Sequence, residues 1–308
     1  MFLGTTQLSP PGYGAVAGIE LEDMNRDGVV AWSAWSSVGT RPVHDVYRND
    51  VNLSEPVLGL YREVTYHSRV NAHGDVLWSG YGPNTGGKDH LFLNQTSLTA
   101  GLVDGHRGID VEGLNDRGDY VWLLIDGAGS THLYLNRENL SRKVFGTKPY
   151  TVFHLANRLS EAGDVLWAAV DKTTDIAMLF LNETEISHSV LGIDPDWPYT
   201  TVGAAFGFDA RGNYVWSGTG PNTGYAYHTF FNEFDVSLDA IPSGDIYHSQ
   251  PLALNSRGDL FWGAMLNDGS IWLYRSRLVC EPHTALGLLL LPLLRRRRRS
   301  GGRVDAGL

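Results

Sequence analysis

Four aspartates, Asp75, Asp119, Asp164 and Asp259, each follow a glycine directly, and Asn213 holds the same place after Gly212. Such a row of carboxylates could gather a cation or a polar ligand; alternatively, each acid accepts amides of its own turn, which is what short acids in turns ordinarily do. Ahead of Gly28, Asp23, Asn25 and Asp27 alternate as the opening ligands of a calcium loop do. Ala31 and Ala34 fill the places of that loop's later ligands. Calcium is thus the one cofactor the pattern raises, through an incomplete loop, and otherwise none is expected.

Histidine recurs as well. His44, His90, His132 and His228 each stand two or three residues before an aromatic side chain. Converging imidazoles would suit a transition metal, but no His-Glu-x-x-His spacing accompanies them, and a repeated packing role is the expectation. Two loops share a sequence, Gly80-Tyr-Gly-Pro-Asn-Thr-Gly86 and Gly218-Thr-Gly-Pro-Asn-Thr-Gly224. Their Asn84, Thr85, Asn222 and Thr223 offer hydrogen bonds to a polysaccharide or a protein, although the run is also an ordinary turn. The chain has no Gly-x-Ser-x-Gly elbow, phosphate-binding loop or dinucleotide fingerprint.

The elements that must position these residues come from a repeat. Asn25-Arg-Asp-Gly28, Asn71-Ala-His-Gly74, Asn115-Asp-Arg-Gly118, Ser160-Glu-Ala-Gly163, Asp209-Ala-Arg-Gly212 and Asn255-Ser-Arg-Gly258 are each followed by tryptophan four residues after the glycine: Trp32, Trp78, Trp122, Trp167, Trp216 and Trp262. The glycines are 46, 44, 45, 49 and 46 residues apart. A small polar residue that bonds its own turn, with glycine at positive φ, marks a hairpin tip. The short apolar runs after it, such as Asp75–Trp78 and Asp119–Trp122, read as strands buried on both faces. A second aromatic, at Tyr47, Phe92, Tyr134, Phe180, Phe230 and Tyr274, marks a third strand, and a run such as Asn139–Phe145 is expected to be the fourth.

Four short strands in about 46 residues is the size of a propeller blade, and radial stacking is how such sheets bury both faces. The expected fold is all-β: a six-bladed β-propeller over residues 1–279, followed by a separate segment, 280–308. Met1–Ser9 lines up with Leu91–Thr99, part of the third and fourth strands of a repeat. These residues either clasp six blades shut or follow an upstream half-blade, which would make seven. The shared loops of the second and fifth repeats point to a duplicated three-repeat ancestor. The six tryptophans are expected as packing core.

Residues 1–279 carry 18 basic against 32 acidic side chains, a balance that repels a phosphate backbone, so no nucleic-acid partner is expected. One cysteine, Cys280, excludes an intrachain disulfide. The final segment differs abruptly: Glu281 and Pro282 precede an apolar stretch from Ala285 to Leu294, then Arg295, Arg296, Arg297, Arg298 and Arg299. Its alternatives are a sorting signal or a terminal strand with a solvated basic tail.

Val279-Cys-Glu-Pro282, the leucine-rich stretch and the arginine block resemble the PEP-CTERM tail of exported Gram-negative proteins. That resemblance implies recognition by an exosortase-type processing enzyme at the membrane, transient anchoring, and a cell-surface or extracellular location. Cys280 stands where the first proline of the motif would, which leaves lipidation at this cysteine as an alternative. The repeat resembles the extracellular Asn-x-x-Gly family, including its HAF type, for which no chemistry is implied. The expectation is a non-enzymatic surface module that binds exopolysaccharide, matrix or protein. The alternative is an extracellular carbohydrate-active hydrolase or lyase, which needs two carboxylates about 5–10 Å apart in one cleft. No signal peptide is visible in Met1–Gly18, so a missing upstream segment is expected.

Overall fold

The computed structural model describes residues 18–38, 41–64, 67–101, 105–153, 157–193, 201–241, 245–279 and 287–295. They form six small antiparallel sheets, one for each repeat, and the protein is all-β. Sheet 1 holds Gly18–Met24, Val30–Val38, Arg41–Arg48 and Val51–Asn52, paired in chain order. Sheet 3 follows the same plan with His106–Leu114, Tyr120–Asp126, Thr131–Leu135 and Glu138–Asn139. Sheet 5 does so with Thr201–Phe208, Tyr214–Thr219, His228–Phe231 and Phe234–Asp235. In sheets 2 and 4 two short strands share the edge of the second strand: Glu63–Val64 and Arg69–Val70 beside Val76–Tyr81, and Tyr150–Val152 and Arg158–Leu159 beside Val165–Asp171.

The fourth strand is shorter than expected. Only Glu138–Asn139 pairs in sheet 3, and Leu140–Phe145 turns into a helix. Asn139 caps that helix by accepting the Arg142 amide (2.8 Å), and Ser141 turns inward to accept the Leu133 amide (3.0 Å). Corresponding short helices are α1 (Glu55–Leu58), and, after the one just described (α2), α3 (Ser187–Leu191) and α4 (Val236–Ala240). Sheet 6 differs: Ile246–Leu254, Asp259–Leu266 and Ile271–Val279 are followed by the full strand Gly287–Arg295, antiparallel to its neighbour with Val279 opposite Gly287. The leucine-rich segment therefore extends a sheet, as the terminal-strand alternative has it.

Alternation within each strand explains the core. In sheet 2, Val76, Trp78 and Phe92 pack with Ala31, Val46, Leu53 and Leu58 of the first repeat. Leu77 and Leu91, their neighbours in sequence, pack instead with Ile109, Val111 and Trp122 of sheet 3. Successive side chains of a strand point to opposite faces, so a sheet covered on both sides needs an unbroken apolar run. Sheets 5 and 6 pack similarly, through Val215, Phe231 and Val236 against Ile246, Leu260 and Trp262.

Each marker tryptophan stacks on the aromatic of its third strand. Trp32 lies over Tyr47, Trp78 over Phe92, Trp122 over Tyr134, Trp167 over Phe180, Trp216 over Phe230 and Trp262 over Tyr274, with centroids 4.2 to 4.5 Å apart. All six tryptophans are buried. The chain divides into two compact units, Met1–Thr174 with Phe180–Thr184, and Asp175–Leu179 with Glu185–Leu308; the division runs through sheet 4.

Candidate functional site

The hairpin tips come first, since the row of acids lies there. Gly28, Gly74, Gly118, Gly163, Gly212 and Gly258 all have positive φ. Asn71 Oδ1 accepts the amides of His73 and Asp75, and Asn25, Asn115, Asp209 and Asn255 serve their own turns in the same way. Opposite each of the first five tips, a left-handed asparagine turns the third strand into the fourth: Asn49, Asn94, Asn136, Asn182 and Asn232, φ 51 to 55°. Its carbonyl accepts the tryptophan indole N–H at 2.6 to 2.7 Å. Its Oδ1 accepts the amide of the residue that opens the second strand.

The acids hold these asparagines. Asn94 Nδ2 donates to Asp75, Asn136 to Asp119 and Asn182 to Asp164, at 2.8 to 3.1 Å, and Asn232 donates to Asn213. Asp259 faces Arg275 and Arg277 instead. The row is thus a set of turn fasteners. The calcium candidates are similarly engaged: the Asp23 carboxylate accepts the amides of Met24 and Val70, and Asn25 Oδ1 those of Asp27 and Val29. Asp27 is exposed. Among the described residues, no group of three or more His, Cys, Asp or Glu side chains is placed to hold a metal ion.

Consecutive tips are tied side by side within each unit. Asn25 Nδ2 donates to Asn71 O (2.8 Å) and Asn115 Nδ2 to Ser160 O (3.0 Å), while the Ala210 amide reaches Ser256 O in the second unit.

The Gly-Pro-Asn-Thr-Gly loops lie at the other end of the sheets, between second and third strands, each as one turn of 3-10 helix: Pro83–Thr85 and Pro221–Thr223. Both threonines close their own loop, Thr85 Oγ1 accepting the Gly82 amide and Thr223 Oγ1 the Gly220 amide. The loops also dock on the helix of the preceding repeat. A Cβ on Gly82 would come within 2.4 Å of Leu58 O, so only glycine permits that approach. Asn222 Nδ2 donates to Val190 O of α3 at 3.0 Å, satisfying a carbonyl near the helix end.

Beside each loop lies a cavity. The one in unit 1, about 450 Å³, is lined by Asn84, Thr85, His90, Ser97 and Ala100, together with Val57, Phe92 and Gln95. The other, about 400 Å³ in unit 2, is lined by Asn222, Thr223, His228 and Leu238, with Tyr225, Ile246, Tyr247 and Asn267. Asn84, Thr85, His90 and Ala100 correspond to Asn222, Thr223, His228 and Leu238 in sequence order, and Ser97 corresponds to Asp235. Both volumes fall within the range of small-molecule sites.

The two copies differ where they face the cavity. His90 Nδ1 meets Ser97 Oγ at 3.1 Å, whereas His228 Nδ1 meets the Asp235 carboxylate at 2.5 Å. A carboxylate at Nδ1 fixes the ring, so Nε2 is the nitrogen left to a ligand. Asp235 itself is fixed by the Leu238 amide and the Ser237 hydroxyl, both 2.8 Å away. After the loop, unit 1 has Gly87 at φ 74°, while unit 2 has Tyr225 at φ 64°. A bulky L residue in this region costs about 1–2 kcal/mol. The Tyr225 ring remains half exposed.

A second group of ionisable side chains occupies the same end of sheets 2 and 3. The Tyr81 hydroxyl donates to the Glu63 carboxylate, and this bond pushes the phenol up to about 12. Asp89, half buried, is pushed up to about 6, chiefly by burial and also by the charge of Glu63, while His106 and the Ile109 amide act in the opposite sense. His106 Nε2 bonds the carbonyl of Asp89 at 2.7 Å. Asp89 Oδ1 and His106 Nδ1 are buried without hydrogen-bond partners among the described residues.

The remaining histidines have separate roles. His44 stacks on Trp35, and its basicity is lowered mainly by burial, whereas His132 sits between Tyr150 and Asp126. Of the tail residues, Arg295 ends the last strand; Glu281, Pro282 and Arg296 to Arg299 lie outside the described residues, as does Met1–Ser9. Sequence reasoning did not single out Asp235, Tyr225, Tyr247 or the Asp89–His106 pair. It also missed the left-handed asparagines, although Asn-x4-Ser/Thr recurs at Asn49–Ser54, Asn94–Thr99, Asn136–Ser141, Asn182–Ser187 and Asn232–Ser237. No family model, no curated protein and no solved structure matches the chain.

Proposed function

We propose that this chain is an exported cell-surface or extracellular repeat protein, a six-bladed β-propeller that binds surface polysaccharide or matrix at the loop end of its sheets. The observation that carries the binding reading is the cavity built twice beside the Gly-Pro-Asn-Thr-Gly loops, with an Asn-Thr-His set common to both linings and other lining residues that differ. Sheets covered on both faces and tips joined in sequence support radial stacking. The tail supports the address. Because Gly287–Arg295 pairs along sheet 6, an exosortase-type enzyme would act on a chain from which that strand is released.

Two measurements test this reading together. Intact mass of the protein from envelope and medium fractions should show a species lacking Arg295–Leu308, and that species should cosediment with the producing cell's exopolysaccharide. An unprocessed cytosolic chain that ignores the polymer would overturn both halves.

A second reading, an extracellular carbohydrate-active hydrolase or lyase, is favoured by Asp89, which keeps its proton up to about pH 6 beside the charge of Glu63. In that case the wild type releases reducing ends from glycans, and Asp89→Asn and Glu63→Gln each abolish the release. A wild type without turnover removes it.

A further inference from the structure

We propose that the unit 2 cavity is a subsite for an uncharged hexose unit, stacked on Tyr225 and Tyr247 and hydrogen-bonded by His228. This rests on the polysaccharide-binding reading and narrows it to one ligand class and one of the two cavities.

The lining fits a sugar in three respects. Tyr225 and Tyr247 are 48% and 61% exposed, and both border the cavity. A pyranose presents one face of C–H bonds and a rim of hydroxyls, which suits a flat apolar ring with polar groups beside it. His228, only 5% exposed, is held at Nδ1 by Asp235, which leaves Nε2 to a sugar hydroxyl, and Asn222 lines the same cavity. No Lys, Arg, Asp or Glu lines the cavity among the described residues. An anionic sugar would lack a counter-charge there and would meet the repulsion of a chain of net charge -10.

The backbone supplies an independent reason. Tyr225 adopts a left-handed conformation that the other copy assigns to Gly87, yet its ring is not used to fill the core. Strained backbone concentrates at ligand-binding sites, and Tyr225 borders the cavity. Unit 1 has glycine at that place and Ser97 behind its histidine, so its cavity lacks both the platform and the carboxylate that locks the ring.

The test is calorimetric titration of the full chain with cellohexaose, laminarihexaose and a neutral galactan hexasaccharide, with hexagalacturonate as the charged probe. At least one neutral probe should bind. Tyr225→Gly and Tyr247→Ala should each weaken that binding about fivefold or more, the scale of one aromatic contact. Tyr247→Phe should retain it, since the ring face and not the hydroxyl is at work, and Met24→Ala, an exposed change at the hairpin-tip end of sheet 1, should leave it unchanged. Thermal melts of the same variants show that the fold persists.

Neutral binding untouched by Tyr225→Gly and Tyr247→Ala would overturn the subsite. Binding of hexagalacturonate alone would overturn the uncharged ligand and leave the polysaccharide reading standing. If neither the probes nor the native exopolysaccharide binds, the broader reading falls as well.

Discussion

The two loop-side cavities are built from the same sequence positions and differ where it matters for a ligand. Asn84 and Asn222, Thr85 and Thr223, and His90 and His228 are identical pairs, and both threonines bond their own backbone. Ser97 is replaced by Asp235, Gly87 by Tyr225 and Ala100 by Leu238. Of the constant positions, the threonines hold the backbone of their loops, and all three pairs line their cavities. The changed ones face the cavity or stand directly behind a residue that does, so the repeat supplies a scaffold and the differences supply chemistry.

The largest effect should separate Asp235 from Ser97. Asp235 accepts the Leu238 amide that begins α4, the Ser237 hydroxyl and the ring of buried His228. Asp235→Ala removes a helix cap and leaves an imidazole nitrogen unpaired in the interior, a loss of about 3 kcal/mol. Ser97→Ala removes a single neutral contact, for about 0.5–1 kcal/mol. Urea denaturation of both variants measures the difference, and equal losses would mean that the copies do not differ in how they hold their histidine.

The backbone contrast gives the next effect. Tyr225→Gly should stabilise the protein by about 1 kcal/mol, because relief of the left-handed strain exceeds the extra unfolded-state entropy of glycine. Gly87→Tyr, the reciprocal change, should destabilise it by about 1–2 kcal/mol. Thermal melts at one pH suffice. A Tyr225→Gly variant that is less stable than the wild type would show that the ring is there for packing.

The two loops were legible in the sequence as candidate ligand-binding turns, but the other residues that line the cavities beside them were not tied to them. The hairpin tips could be read because Asn-x-x-Gly and a tryptophan lie within one short segment, and each does what its residue types dictate. Asn139–Phe145 was misread as a strand, since a two-residue strand followed by a capped helix has no period of its own to reveal it. The acid row looked like chemistry because its partners, the left-handed asparagines, lie 17 to 19 residues further along the chain in the next hairpin. Tyr225 gave no signal at all: Gly-Tyr is an ordinary pair, and only the backbone conformation sets it apart. Asp89 and His106 meet through the packing of two sheets, which no spacing rule encodes.

That last pair yields the smallest effect and the third contrast between the copies, because Asp89 precedes His90 where Tyr227 precedes His228. The Asp89 carboxyl is pushed up from 3.8 to about 6, first by burial. In the folded state it binds its proton more tightly than in the unfolded chain, so its contribution to stability is complete below about pH 4 and is lost as pH rises through about 6. Asp89→Asn has no charge to bury. It should match the wild type near pH 4, gain on it between pH 4 and 6, and stay ahead by about 1 kcal/mol at pH 8 once partial exposure of the carboxyl is allowed for. Tyr227→Phe, at the matching place in unit 2, removes no carboxyl and is the control whose offset from the wild type should stay constant between pH 4 and 8. Denaturation curves of the three proteins across this range decide it: a constant offset between Asp89→Asn and wild type would mean that Asp89 is ionised throughout, and with it the hydrolase reading would lose its proton donor.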